Sequence, residues 1–170
     1  MAFTDKKLRE MYAGGRGNTT ARRFAHLWAR IHALGLAPRR WVTLEVPGRR
    51  SGRITRFPLG MADWQGHWYL VPMLGADCNW VRNVRAASGR AVLRHGRSRP
   101  CHLVELPVPE RAPILRRFLQ QVPGARPHIP LNPNASLPDF AAVADQYPIF
   151  RVDYITDRIP ARQENPLPRH

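Results

Sequence analysis

Trp41-Val42-Thr43-Leu44-Glu45-Val46, then Pro47-Gly48-Arg49-Arg50-Ser51-Gly52-Arg53, then Ile54-Thr55-Arg56-Phe57-Pro58-Leu59, is the stretch from which the fold is read. The first and last runs are rich in β-branched and aromatic residues and alternate in polarity, which predicts two strands, and the glycine-bounded basic segment between them predicts their turn. Four arginines, at 49, 50, 53 and 56, and the hydroxyl of Ser51 lie within nine residues. Guanidinium forks match phosphate oxygens, and glycines let backbone N–H groups come close to an anion. A solvated basic hairpin is the plainer alternative for the same residues.

Outward from this hairpin the sheet grows. His67 to Pro72 predicts a third strand after a turn over Asp63 to Gly66, so the first three strands form an antiparallel meander. A helix capped by Asp77 or Asn79 runs to about Ala87 and closes at Ser88-Gly89. Ala91 to His95 and Ser98 to Leu106 form a hairpin across Gly96-Arg97. Glu110 to Val122 predicts a helix that tolerates Pro113 in its first turn, where N–H groups lack helical partners. The Pro- and Asn-rich stretch from Pro123 to Pro138 predicts a long ordered loop with the character of a lid, followed by a short helix over Asp139 to Gln146 and a last strand over Ile149 to Tyr154.

Towards the N-terminus, Phe24, Leu27, Trp28, Ile31 and Leu34 recur at helical spacing between Thr20 and Leu36, with Arg22, Arg23 and Arg30 mostly off the stripe. This predicts a basic amphipathic helix that packs on the same domain, with peripheral contact to an anionic membrane as the second reading. The expected organisation is a flexible start over 1–19, one domain over 20–157 and a Pro-rich tail over 158–170.

The chain has 170 residues, 44% of them hydrophobic, a formal charge of +15 and a sequence pI near 11.5. That composition supports a single globular domain and favours anionic partners. Lys6 and Lys7 are the only lysines, so the charge is almost wholly arginine, which weakens it as evidence of selection for binding. Two cysteines, Cys78 and Cys101, and the absence of an apolar h-region near Met1 lead to the expectation of a reduced, cytoplasmic setting. Cys101 and His102 are adjacent and would face opposite sides of a strand, so no metal site is expected from them. No Gly-x-Ser-x-Gly elbow supports a hydrolase.

Gly48-Arg49-Arg50-Ser51-Gly52, Arg56 and Pro58, with Gly75 and Trp80-x-x-Asn83 beyond them, resemble the deazaflavin-dependent nitroreductase family over roughly Leu44 to Leu106, with an echo at Pro148 to Val152. The resemblance implies a mainly β fold with α, a split β-barrel of the FMN-binding and pyridoxamine-phosphate-oxidase type, carrying the N-terminal helix and short peripheral helices. It implies binding of coenzyme F420, a deazaflavin, with FMN as the alternative. It assigns Arg49, Arg50, Ser51 and Gly52 to the cofactor's phosphate, with Arg56 as an additional contact. Trp80 and Asn83, three apart on one helix face, would wall the ring and bond the polar tail, and Met73, Leu74 and Gly75 would line the ring slot. Family members often carry a Ser-Lys pair where this chain has Met73-Leu74, and a basic residue where it has Thr55. The implied activity is hydride transfer from reduced F420 to a small-molecule acceptor, a quinone, nitroaromatic or activated alkene, by a monomer or homodimer; the proton would come from His128, Tyr147 or solvent. The alternatives are a noncatalytic split-barrel binder of a lipid, fatty acid or flavin and, less favoured, a nucleic-acid module, for which no recognition motif is present. No nucleic-acid partner is expected.

Overall fold

The computed structural model describes residues 38–155. The N-terminal helix, the flexible start, the tail and both expected domain boundaries lie outside the described residues. Strands β1 (Trp41–Pro47), β2 (Ile54–Trp64) and β3 (His67–Leu70) form the antiparallel meander. After helix α1 (Asn79–Ala86) come β4 (Arg90–His95), β5 (Arg97–Glu105), helix α2 (Arg111–Gln121), the short helix α3 (Leu137–Ala141) and β6 (Phe150–Tyr154). The six strands close into a barrel in the order β1-β2-β3-β6-β5-β4, every described pairing antiparallel. Closure joins the two edges of the described sheet.

Alternation along each strand divides the side chains between two cores. Val42, Leu44 and Val46 of β1 point inward with Met61, Leu93 and Leu103, and helix α1 plugs one end of this interior with Trp80, Val81 and Val84. On the outside, Ala62, Tyr69 and Val71 pack against Leu115, Phe118 and Leu119 of α2 and Phe140 of α3. Each fully buried Leu or Phe contributes about 1.5–3 kcal/mol. The helix pattern of α2 is amphipathic for this reason: the stripe that reads as periodic in the sequence is the stripe pressed on the barrel.

Gly52 and Gly60 are among the glycines that geometry demands. Gly52 has φ +65°, a left-handed conformation that turns the arginine loop. Gly60 lies where α2 meets the barrel, and a Cβ there would sit 2.9 Å from a Val122 methyl and 3.1 Å from the Trp41 ring.

The expected elements are present, with shifted bounds. β2 continues to Trp64, so the turn narrows to Gln65-Gly66. Helix α1 is capped by neither expected residue: Cys78 holds the N-cap position without a side-chain bond, Asp77 instead binds Arg82 at 2.6 Å, and Asn79 is already helical. The helix expected over Asp139 to Gln146 begins earlier, because Ser136 and Asp139 form a reciprocal capping box, and it ends at Ala141 ahead of a separate 3-10 turn at Ala144–Gln146. The segment expected as a lid is anchored at two points, Ala125 and Ile129, which are fully buried in the outer core. It leaves α2 beside Gly60 and Trp41, at the opposite end of β1 from the arginine loop.

Candidate functional site

The turn between β1 and β2 is closed by its own backbone. The Gly48 N–H donates to the Arg53 carbonyl at 2.8 Å, and the Gly52 N–H donates to the Gly48 carbonyl at 2.8 Å. Ser51 Oγ accepts from the Arg53 N–H at 3.4 Å, so this hydroxyl shapes the loop from within. Arg49, Arg50 and Arg53 are exposed.

Helix α1 meets this loop through Asn83. Its carboxamide is buried, 4% exposed, and bonded through both its oxygen and its nitrogen. The Oδ1 accepts from the Arg49 N–H at 3.3 Å and from Arg49 Nη1 at 3.1 Å, while the Nδ2 donates to Thr55 Oγ1 at 3.1 Å. The Thr55 hydroxyl in turn donates to the Val46 carbonyl at 2.8 Å, and Asn79 Oδ1 accepts from Arg49 Nη1 at 3.4 Å. One amide therefore ties both the turn, at Arg49, and β2, at Thr55, to the helix, and buried hydrogen bonds of this kind are costly to break. The two sequence motifs converge at one end of the barrel.

Their roles divide differently from the expectation. Arg49 is latched to the helix, which leaves Arg50 and Arg53 as the guanidiniums of the loop with no described protein partner. Arg53 was not singled out as a contact in the sequence, although it lies within the same nine residues. Arg56 lies one residue beyond Thr55 and so on the other face of β2, where its Nε donates to Glu45 at 2.9 Å across the β1–β2 register. Arg94 reaches the same Glu45 oxygen at 3.5 Å. Trp80 is 5% exposed, and its ring stacks at a tilt on Phe150 with centroids 5.5 Å apart. The core-aromatic alternative accounts for its placement, and its neighbour Asn83, rather than the indole, faces the loop. Met73, Leu74 and Gly75 lead into α1 and are half-buried: Leu74 packs on the inner core, Met73 on the outer one, and Gly75 has φ +80°. Tyr147 is buried, which pushes its phenol up, and its carbonyl accepts from Arg111. His128 is half-buried in the anchored segment.

Helix α1 is also held at its far turn. Arg85 donates two hydrogen bonds to the Glu105 carboxylate, at 2.9 and 2.8 Å, and the buried Arg111 reaches the same carboxylate at 3.2 Å. The hydrogen bond from Arg85, opposed by burial and aided by the charges of Arg85 and Arg111, holds Glu105 below the usual carboxylate range.

Among the described residues no group of three or more His, Cys, Asp or Glu could hold a metal, and no helix is long and apolar enough to cross a membrane. A shallow surface hollow of about 380 Å³ lies at the β2–β3 turn, lined by residues that include Trp64, His67, Trp68 and Arg117. It is at the other end of β2 from the arginine loop and separate from the site.

No protein-family profile matches the chain, and no curated protein matches it. Solved structures do. A Bacteroides thetaiotaomicron protein described as a candidate for 5-nitroimidazole antibiotic resistance aligns with a TM-score of 0.50 at 9% identity, over 75% of this chain and 79% of that one. That likeness, with the closed antiparallel barrel, decides the fold. The chain is a split β-barrel. Two further likenesses are an F420-H2 dependent reductase, with a TM-score of 0.47 at 21% identity over 68% of this chain and 95% of that one, and a Listeria innocua protein described as a candidate pyridoxamine 5'-phosphate oxidase, with a TM-score of 0.48 at 8% identity over 76% and 94%. At 9% identity the likeness with a TM-score of 0.50 shows the fold alone.

Proposed function

We propose that this split barrel is a deazaflavin-dependent oxidoreductase that binds coenzyme F420 at the end of the barrel where the arginine loop meets α1. The observation that carries the reading is the Asn83 latch. It brings the Gly48–Gly52 motif and the Trp80-x-x-Asn83 motif, the two halves of the sequence resemblance, into direct contact.

The residues present fit the charged part of such a cofactor. Arg50 and Arg53 offer exposed donor forks, and the latched Arg49 adds its charge beside them. The half-buried Leu74 and Met73 are apolar surfaces before the same helix and suit a planar ring. Trp80 belongs to the inner core on which Leu74 packs, and so acts from behind that surface rather than touching the ligand. Bound there, the reduced deazaflavin would supply a hydride for a quinone, nitroaromatic or activated alkene acceptor. The chain's own contribution is positional: the loop holds the anionic tail, Asn83 fixes the loop on the helix, and Glu105 with Arg85 and Arg111 fixes the helix on the barrel.

A fluorescence titration of the purified protein with F420, with FMN as a parallel arm, tests the reading. Micromolar or tighter F420 binding, weakened by Arg50→Ala, is the expected result. Binding of FMN without F420 would move the assignment to a flavin protein, and binding of neither would end it. One charge-assisted hydrogen bond contributes about 1.5–3 kcal/mol, so the variant should lose roughly ten- to 150-fold in affinity.

A further inference from the structure

The hollow at the β2–β3 turn has walls fixed from two sides. Gln65 and Gly66, which join the strands, both have positive φ, +48° and +79°, as a two-residue type I′ hairpin turn requires. Helix α2 grips the strand just before them. Gln121 Oε1 accepts from the Asp63 N–H at 3.1 Å, and Gln121 Nε2 donates to Asp63 Oδ1. Arg117 donates to the Asp63 carbonyl at 3.3 Å and to Oδ1 at 3.2 Å. The Gln121 hydrogen bond, opposed by burial and aided by the Arg117 charge, holds the Asp63 carboxyl below the usual carboxylate range. Both side chains of this ion pair stay partly exposed, and among the described residues Asp63 Oδ2 and Arg117 Nη1 form no hydrogen bond.

Planar groups dominate the lining. Trp64 packs on the outer core and Trp68 on the inner one, and each is only half-buried. His67 is exposed, with its ring T-shaped on Tyr69 at 6.5 Å between centroids, and Arg117 adds a guanidinium plane. Indole, imidazole and guanidinium planes all stack on flat ligands. The charges of Asp63 and Arg117 cancel, so a ligand of either sign meets a like charge, and what the pair still offers is an acceptor beside a donor. A volume of about 380 Å³ falls within the range of small-ligand sites, about 300–1,000 Å³. A neutral, flat ring whose edge sets a donor beside an acceptor answers all of these features. Adenine has that edge, with its amino N–H next to a ring nitrogen. A saccharide offers donors and acceptors but no π face.

We propose that this hollow binds the adenine ring of a free nucleoside, stacked on Trp64 and Trp68, with its amino group donating to Asp63 and a ring nitrogen accepting from Arg117. The proposal does not rest on the cofactor assignment, because the hollow and the arginine loop lie at opposite ends of β2.

NMR titration of the full chain, labelled with nitrogen-15 at its tryptophan indoles, with adenosine tests it. Saturable shifts of the Trp64 and Trp68 indole N–H signals are expected, with those of Trp41 and Trp80 unmoved. Loss of one stacked base contact costs roughly five- to 150-fold in affinity, so Trp68→Ala and Trp64→Ala should each weaken binding by such a factor, and Trp68→Phe should keep most of it. Arg117→Leu should weaken adenosine binding roughly tenfold or more, and purine riboside, which lacks the amino group, should bind the native chain weaker by a similar factor. Arg97→Gln, at the β4–β5 turn, should leave binding unchanged, and matching thermal midpoints identify folded variants. Absence of saturable shifts at the two indoles overturns the proposal, as do equal affinities for adenosine and purine riboside, the mark of unspecific stacking. Methyl glucoside shifting the same signals with adenosine silent would make the hollow a saccharide site, and oligoadenylate doing so would make it a nucleic-acid site; either result overturns the proposal.

Discussion

At the residue scale, Asn83 is the side chain on which the site turns. Its amide serves the turn as acceptor and β2 as donor, a pairing that neither aspartate nor leucine can reproduce. Asn83→Ala should lower stability by about 1–3 kcal/mol in urea denaturation, because the Arg49 N–H would lose its acceptor and the Thr55 hydroxyl one of its two partners inside a half-buried junction. A loss near zero would mean that the loop stands without the helix. Thiol chemistry offers a second check. Burial pushes Cys78 up to about 11 and Cys101 up to about 12, so neither carries appreciable thiolate near neutral pH. Both should resist thiol-reactive reagents in the folded protein and label readily in denaturant. Labelling of either in the native state would show that the interior opens.

At the element scale, much was legible because alternation and turn chemistry act locally. β1, the β4–β5 hairpin and α2 stand close to the bounds that periodicity gives, and the Gly-rich turn of the arginine loop joins the two predicted strands. What was hidden depended on contacts between elements. Spacing puts Trp80 and Asn83 on one face of α1 but not which partner each meets; the barrel interior takes the indole, and the edge of the loop takes the amide. Arg56 was assigned to the cofactor by the resemblance, yet strand alternation sends it to Glu45 on the other face. The proline-rich segment resembled a lid by composition, whereas Ala125 and Ile129 anchor it in the outer core. Two substitutions probe these packings. Trp80→Ala should destabilise by about 3–5 kcal/mol, as expected for a large aromatic removed from a core. Gly60→Ala should cost about 1–3 kcal/mol, since the new methyl must displace Val122 or Trp41. Small effects in either would argue that the helices pack on the barrel more loosely than described.

At the scale of the whole molecule, the barrel is tied together by the Arg85–Glu105–Arg111 bridge, which joins α1, β5 and α2. Because these contacts depress the Glu105 carboxyl, their contribution is fully present above its ordinary value of 4.5 and is lost as pH falls through the lowered folded value. Acid unfolding below about pH 4.5 should therefore be shallower in Glu105→Gln, which has no such proton to take up; an unchanged slope would remove Glu105 from the account. The Asn83 latch unites the charged loop with α1, and that union is the central claim. It is tested most directly by comparing the F420 dissociation constant of the native chain with those of Arg50→Ala combined with Arg53→Ala and of Arg56→Ala. The account predicts a loss of at least tenfold for the pair and little change for Arg56→Ala, whereas equal losses in the two variants, or no binding by the native chain, would contradict it.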